Sequence, residues 1–197
     1  MAEIILFHSV LGLRHGVTDG ANRLRDAGHI VYTPDYYDGE VFDDPAEGVR
    51  KREELGMEEI TKRVRDSVAM RQPSLVYGGF GLGARCAQVL ALTRKETQGL
   101  VLLHGALPAE ETAPGGWPRG LPVQVHHADD DEWVDSETVD RLGRAVQEAG
   151  AGFEAHRYTG AARSLTDPDL PGYDHDTAEV MWDRVQDFVA RVDRRAV

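Results

Sequence analysis

Six short apolar runs punctuate this chain, and most of the stretches between them space their apolar residues in the helical way. Ile4-Ile5-Leu6-Phe7 has no polar residue to face water, which reads as a strand covered on both sides. Ile30-Val31-Tyr32, Leu75-Val76-Tyr77, Leu100 to Leu103, Val123 to His126 and Phe153 to His156 repeat the pattern. Between them, Ala21, Leu24 and Ala27 lie at helical spacing before Gly28, a helix-ending residue. Residues 46–54 and 57–70 read as polar, exposed helices, and Cys86, Val89, Leu90 and Leu92 mark the next. Ser136 is the expected N-cap of a helix through Glu148, with Val139, Leu142 and Val146 as its buried stripe. A closing helix runs from Thr177 to Val192, and the Pro- and Gly-rich residues 105–120 read as a loop, a flap near the ligand edge. Strands separated by helices predict an α/β fold, a mostly parallel sheet with helices on both faces. Ligands then sit beyond the carboxyl ends of the strands. The residues to watch are His8, Asp35, Gly81, His104 and the run from His126 to Val134.

Composition narrows the partners. Asp plus Glu number 34 against 22 Lys plus Arg, a formal charge of −12, which repels a phosphate backbone and speaks against nucleic acid. No apolar run approaches the ~18 residues of a membrane span, and the first residues lack the basic segment of a signal peptide. Cys86 is the only cysteine, so no intrachain disulfide forms, and the expected compartment is cytoplasmic. The 197 residues suit a single domain spanning 1–197, as monomer or homodimer.

The sharpest motif is Gly79-Phe80-Gly81-Leu82-Gly83, placed after one apolar run and before a helical one. That is the layout of a nucleophile elbow, G-x-S-x-G, in which flanking glycines permit a sharp turn and close helix packing. Its middle residue is Gly81, which has no side chain to attack with. A phosphate-cradling loop is the competing reading, but Ala84 stands where G-x-G-x-x-G needs glycine, and no Lys-Ser/Thr follows for a P-loop.

With these residues in view, the chain resembles the dienelactone hydrolase family of α/β-hydrolases over nearly its whole length. His8-Ser9-Val10-Leu11-Gly12 is similar to that family's first strand end and oxyanion loop, and Gly28 to Gly39 to its second strand and following loop. Gly79 to Ala84 resembles the elbow, where members carry Cys or Ser at the position of Gly81. Ala128-Asp129-Asp130-Asp131-Glu132-Trp133-Val134 resembles the acid loop, G-x-x-D-x-x-V, placing the triad acid on Asp131. Tyr158 to Asp167 resembles Y-P-G-x-x-H-x-F-x-D, in which the triad histidine falls on Arg163. The resemblance thus implies a degenerate triad of Gly81, Asp131 and Arg163, with only the acid kept. It also implies oxyanion donors at the N–H groups of Leu82 and Val10. An arginine cannot act as the base, because its guanidinium stays protonated.

Other residues are weighed as replacements. Cys86 reads as a small core hydrophobe and Ser9 as a shaper of the oxyanion loop. His8, His104 and His126 follow strands, so each is a candidate base or binding residue, against the plainer reading of a histidine hydrogen-bonded to its surroundings. His126-His127 beside three aspartates lacks the third-ligand spacing of a metal site, and His175 reads as a surface residue at a helix start. Asp35, Tyr36 and Trp133 are expected to line the pocket, with Trp117 as a further aromatic wall. Arg163 is expected opposite Asp131, either as a structural ion pair or as a cationic lip for an anionic substrate group, and the space above Gly81 is expected to hold a water.

No cofactor is implied. The partner is a small molecule, with an anionic group in one reading. Three functions remain open: non-covalent acid/base chemistry on a small carbonyl, ester or lactone compound (cyclisation, dehydration, isomerisation or lactone chemistry), a catalytically inactive homologue that binds a small molecule or protein, or a weak hydrolase using an activated water.

Overall fold

The computed structural model describes residues 1–129, 131 and 133–195. Asp130 and Glu132 of the acid-loop motif lie outside the described residues. In chain order the elements are β1 (Glu3–Phe7), α1 (His15–Asp26), β2 (Ile30–Tyr32), α2 (Pro45–Ser67), β3 (Val76–Phe80) and α3 (Leu82–Thr93). These are followed by β4 (Gly99–Leu103), α4 (Ala109–Thr112), β5 (Val123–Ala128), α5 (Ser136–Glu148), β6 (Phe153–Tyr158) and α6 (His175–Arg195). The strands form one sheet in the order β2-β1-β3-β4-β5-β6, and every pairing is parallel. The predicted α/β architecture is the observed one.

Alternation along each strand builds two cores. Ile5 and Phe7 of β1 face one side with Tyr77, Ile60, Val64, Leu90, Leu142 and Val146. Ile4 and Leu6 face the other with Val17, Leu24, Val76, Val101, Met181, Trp182 and Phe188. Thus α2, α3 and α5 cover one face while α1 and α6 cover the opposite one. With apolar neighbours on both sides, strands of unbroken Ile, Leu and Val are stable here and nowhere else in the molecule. No helix among the described residues is long and apolar enough to cross a membrane.

Two local expectations are corrected, and one break expected inside a helical stretch is found. The N-cap of α5 is Asp135, whose carboxylate accepts the Thr138 N–H at 2.6 Å, and Ser136 is already helical. The two helices expected over 46–54 and 57–70 are the two halves of α2, separated where expected by a kink at Gly56, whose φ 75° and ψ 150° leave the helical path. The expected loop over 105–120 carries the short helix α4.

Chain order reverses direction in the sheet between β1 and β3. A crevice opens beyond the carboxyl ends of strands at such a switch point. The residues that follow β1 and β3, Val10 and Gly81, both line the cleft found there.

Candidate active site

The elbow is kept in full geometry. Gly81 caps α3 with φ 51° and ψ −106°, a left-handed backbone that a residue with a side chain adopts only under strain. Its N–H donates to the Leu103 carbonyl at 2.8 Å, which fixes the turn to the end of β4. The flanking glycines are there for contact. A Cβ on Gly83 would stand 2.3 Å from the His8 carbonyl oxygen, and one on Gly79 would stand 2.5 Å from the Gly83 carbonyl carbon. Helix α3 therefore meets the sheet at backbone distance, and its first N–H groups, which have no partners within the helix, open toward the cleft.

The cleft encloses about 780 Å³. Ser9, Val10, Phe80, Gly81, Leu82, His104, Asp131, Trp133 and Arg163 line it, together with Arg14, Arg52 and Arg85. Sequence reading did not single out these last three arginines. Arg14 is tied by Asp43 at 2.6 Å and Asp167 at 2.7 Å, so it clips the loops before α2 and before α6 to the start of α1. No local signal marks it, because both partners are remote in sequence. Among described lining residues, four arginines face three aspartates, so the cleft is not acidic although the chain is.

Asp131 and Arg163 meet across the cleft. The Asp131 side chain is fully buried, with Oδ1 accepting the Trp133 N–H at 3.0 Å and lying 3.6 Å from Arg163 Nη1. Arg163 Nη2 donates to the His104 carbonyl at 3.2 Å, and the guanidinium carbon lies 4.9 Å from the Trp133 ring centre. Trp133 itself is half exposed at the rim. A Cβ built on Gly81 would stand 2.5 Å from Arg163 Nη2. The guanidinium head therefore occupies the place where a side chain at position 81 would begin. The expected water above Gly81 is corrected by this: that space is filled by a cation.

Four residues expected at the site do not line the cleft. His8 is fully buried, its Nδ1 donating to the Ser9 carbonyl at 2.8 Å and its Nε2 accepting from the Tyr36 N–H at 3.2 Å, with the Tyr36 ring stacked on it at 3.6 Å. Tyr36 is buried beneath the loop, its hydroxyl donating to the His8 carbonyl. Asp35 is held down to about 2, first by the His8 ring and then by the N–H groups of Tyr37 and Gly39. His126 lies at the centre of a polar cluster between β5 and β6, bonded to the Tyr158 hydroxyl at 2.7 Å and Gln124 Oε1 at 2.9 Å. All four pin strands and loops together, because strand-end polar groups turned into the protein must find partners there. Trp117 is likewise buried, donating to the Leu121 carbonyl at 3.0 Å, and forms no wall of the cleft. Cys86 is in the core, and burial pushes its thiol up to about 12, which removes it as a nucleophile. Ser9 accepts the Leu11 N–H at 3.1 Å and so shapes its loop.

His104 stands apart. It follows β4 with φ 52°, left-handed for a non-glycine residue; its carbonyl faces Gly81 and Arg163 in the cleft, and its ring is buried. Among the described residues neither ring nitrogen has a hydrogen-bond partner, nor does Asp131 Oδ2, which lies 3.8 Å from His104 Nδ1. Burial first, then the Arg163 charge, lowers the ring to about 3, so it is neutral near pH 7. No group of three His, Cys, Asp or Glu able to hold a metal occurs among the described residues.

The chain is similar to solved structures of hydrolases. A dienelactone hydrolase-like promiscuous phosphotriesterase from metagenomic libraries superposes with TM-score 0.77 at 22% identity, covering 98% of this chain and 87% of its own. A Klebsiella pneumoniae protein described as a dienelactone hydrolase gives TM-score 0.74 at 17% identity, covering 96% of this chain and 87% of its own. The Thermogutta terrifontis esterase 2 phosphonylated by cyclosarin gives 0.66 at 14%, covering 97% and 83%. Among curated proteins, none matches the sequence. These likenesses establish the fold. The family profile of the dienelactone hydrolases matches residues 1–192, and with the elbow and acid loop where that fold requires them, this chain belongs to the dienelactone hydrolase family.

Proposed function

We propose that the cleft takes a small carbonyl, ester or lactone compound bearing an anionic group and transforms it without a covalent intermediate, through acid/base chemistry beside oxyanion donors. Cyclisation, dehydration, isomerisation and lactone chemistry all fit this description. One observation carries the reading: the guanidinium of Arg163 stands over a glycine, where a side chain at position 81 would begin, and the family resemblance makes that the nucleophile's position. Acyl transfer through the elbow is therefore closed, because it needs a Ser or Cys beside a base. A carbonyl oxygen still has the Leu82 and Val10 N–H groups as donors when it gathers negative charge. A carboxylate on the same molecule pairs with Arg163, whose planar fork suits it.

The same occupied space favours a second reading, a homologue that binds its ligand and does not change it. A four-protein cycle on p-nitrophenyl acetate tests the shared premise: wild type, Gly81→Ser, Arg163→His and the double variant. Wild type shows no acyl-enzyme burst. Gly81→Ser alone stays inert, since the guanidinium collides with the new side chain. The double variant gains at least about 10²-fold, the typical contribution of a positioned base. A burst in wild type overturns the proposal. To separate the two readings, small oxo acids such as pyruvate and levulinate are incubated in D₂O. Enzyme-dependent exchange of their α-protons supports chemistry, while a raised Tm without exchange supports binding alone.

A further inference from the structure

We propose that His104, set against Asp131, is the catalytic residue that accepts the proton in this cleft, in place of the histidine that the family's motif would put at Arg163. The inference rests on the non-covalent reading above and gives it its base.

Buried polar atoms without partners are rare, and each needs an explanation. Three of them meet here: both ring nitrogens of His104 and Oδ2 of Asp131. Nδ1 and Oδ2 are 3.8 Å apart, just beyond hydrogen-bond length. Catalytic hydrogen bonds are commonly long before substrate binds and tighten afterwards. His8 and His126 show what a structural histidine looks like in this protein, because both have their two ring nitrogens bonded. The backbone of His104 is fixed as well as strained, with its N–H donating to the His126 carbonyl at 2.8 Å and φ held at 52°. Strain of this kind is kept where the surroundings enforce it, and it gathers at functional positions.

The proton inventory is consistent. With its proton on Nδ1 toward Asp131, the neutral ring carries a lone pair on the buried Nε2, which substrate reaches only when the Arg163 head leaves the cleft floor. Burial and the neighbouring Arg163 keep it unprotonated near pH 7. In the step itself, a C–H bond beside the substrate carbonyl breaks. Its electron pair forms the enolate, whose oxygen lies at the Leu82 and Val10 N–H groups, and the proton passes to Nε2. The buried Asp131 carboxylate then opposes the imidazolium charge. Returning the proton to a different carbon completes an isomerisation with no co-reactant. Arg163 gives access: an anionic substrate group draws its head off Gly81 toward the rim, where the Trp133 ring already flanks it.

A hydroxyl placed at the elbow reports on the base directly. In Gly81→Ser/Arg163→Ala the obstructing guanidinium is gone and no histidine stands at 163. We expect p-nitrophenyl acetate to acylate this double variant at least tenfold faster than wild type, and His104→Gln added to it to return the rate to the wild-type level, with circular dichroism confirming the fold of each. A burst that survives His104→Gln overturns the proposal. So does an inert Gly81→Ser/Arg163→Ala beside an active Gly81→Ser/Arg163→His, an outcome that leaves the non-covalent reading intact. A burst in the unmodified protein overturns that reading instead. Should no double variant be acylated, long-range ¹H–¹⁵N spectra of wild type decide. The proposal requires His104 protonated on Nδ1, with Asp131→Asn shifting the proton toward Nε2; an Nε2-protonated ring in wild type, or no response to Asp131→Asn, overturns it.

Discussion

Two histidines lie side by side on neighbouring strands of the same sheet, His126 inside β5 and His104 one residue past β4, and the protein treats them in opposite ways. His126 on β5 and His104 just past β4 are both almost wholly buried, and burial is the first cause that lowers both rings below the ordinary imidazole range. The His126 Nε2–H donates to Gln124 Oε1, which can only accept, so its Nδ1 takes the Tyr158 hydroxyl proton. The network continues through Gln124 Nε2 to Glu154 at 2.9 Å and the Arg184 carbonyl at 3.2 Å. His104 has none of this. Depth and pKa direction therefore do not tell a structural histidine from one held in reserve; the partners of its nitrogens do.

The largest expected contrast is in stability. His126→Leu leaves Gln124 Oε1 without its partner, at about 1–3 kcal/mol for the orphaned group, while the Tyr158 hydroxyl keeps the Arg184 side chain. A loss of roughly 1–3 kcal/mol lowers Tm by about 2–12 °C for a chain of this size. His104→Leu removes nitrogens that bond to nothing and should change stability by less than about 1 kcal/mol. Calorimetry on the two variants checks this, and equal losses would erase the distinction.

Acid titration gives a smaller, shared effect. Both rings have folded pKa values below the unfolded value near 6.5, so below pH 6.5 the unfolded chain binds more protons than the native one. Stability then falls as pH falls, for His104 across the window from about 6.5 down to about 3. Each ring contributes a slope of at most ~1.4 kcal/mol per pH unit. Urea unfolding between pH 7 and pH 4 should show a shallower acid loss in either leucine variant than in wild type. An unchanged slope in His104→Leu would mean that its ring is protonated in the native state.

The smallest effect concerns the lip above His104. Trp133→Leu removes the ring beside the Arg163 guanidinium, worth about 0.5–1 kcal/mol at an exposed site. Tm should fall by no more than about 3 °C. A larger drop would make Trp133 part of the packing that shapes the acid loop.

Much of the site is readable before any coordinate is known, and the reasons are local. The elbow is a run of five residues in which Gly79, Gly81 and Gly83 each answer a steric demand within a few residues of chain or across one strand contact. The placement of Asp131 and Arg163 follows from motifs with fixed order along the chain, and the structure brings the two within 3.6 Å. His8 and His126 misled because position after a strand says where a residue is, while the partners that absorb them, Tyr36 and Tyr158, come from other strands or loops. Arg14 was invisible for the same reason, with Asp167 lying 153 positions away.

By itself, then, the sequence determined the parallel sheet and the sharp turn at Gly81 with no side chain at its centre, because apolar periodicity, glycine sterics and side-chain chemistry act over one or a few residues. Tertiary structure alone decided that the Arg163 head fills the space over Gly81, that the cleft is lined with arginines in an acidic chain, and that of His8, His104 and His126 only His104 keeps its ring nitrogens unbonded among the described residues. Those outcomes depend on which side chains from distant segments arrive at the same few ångströms, and hydrogen bonding and charge are settled only there.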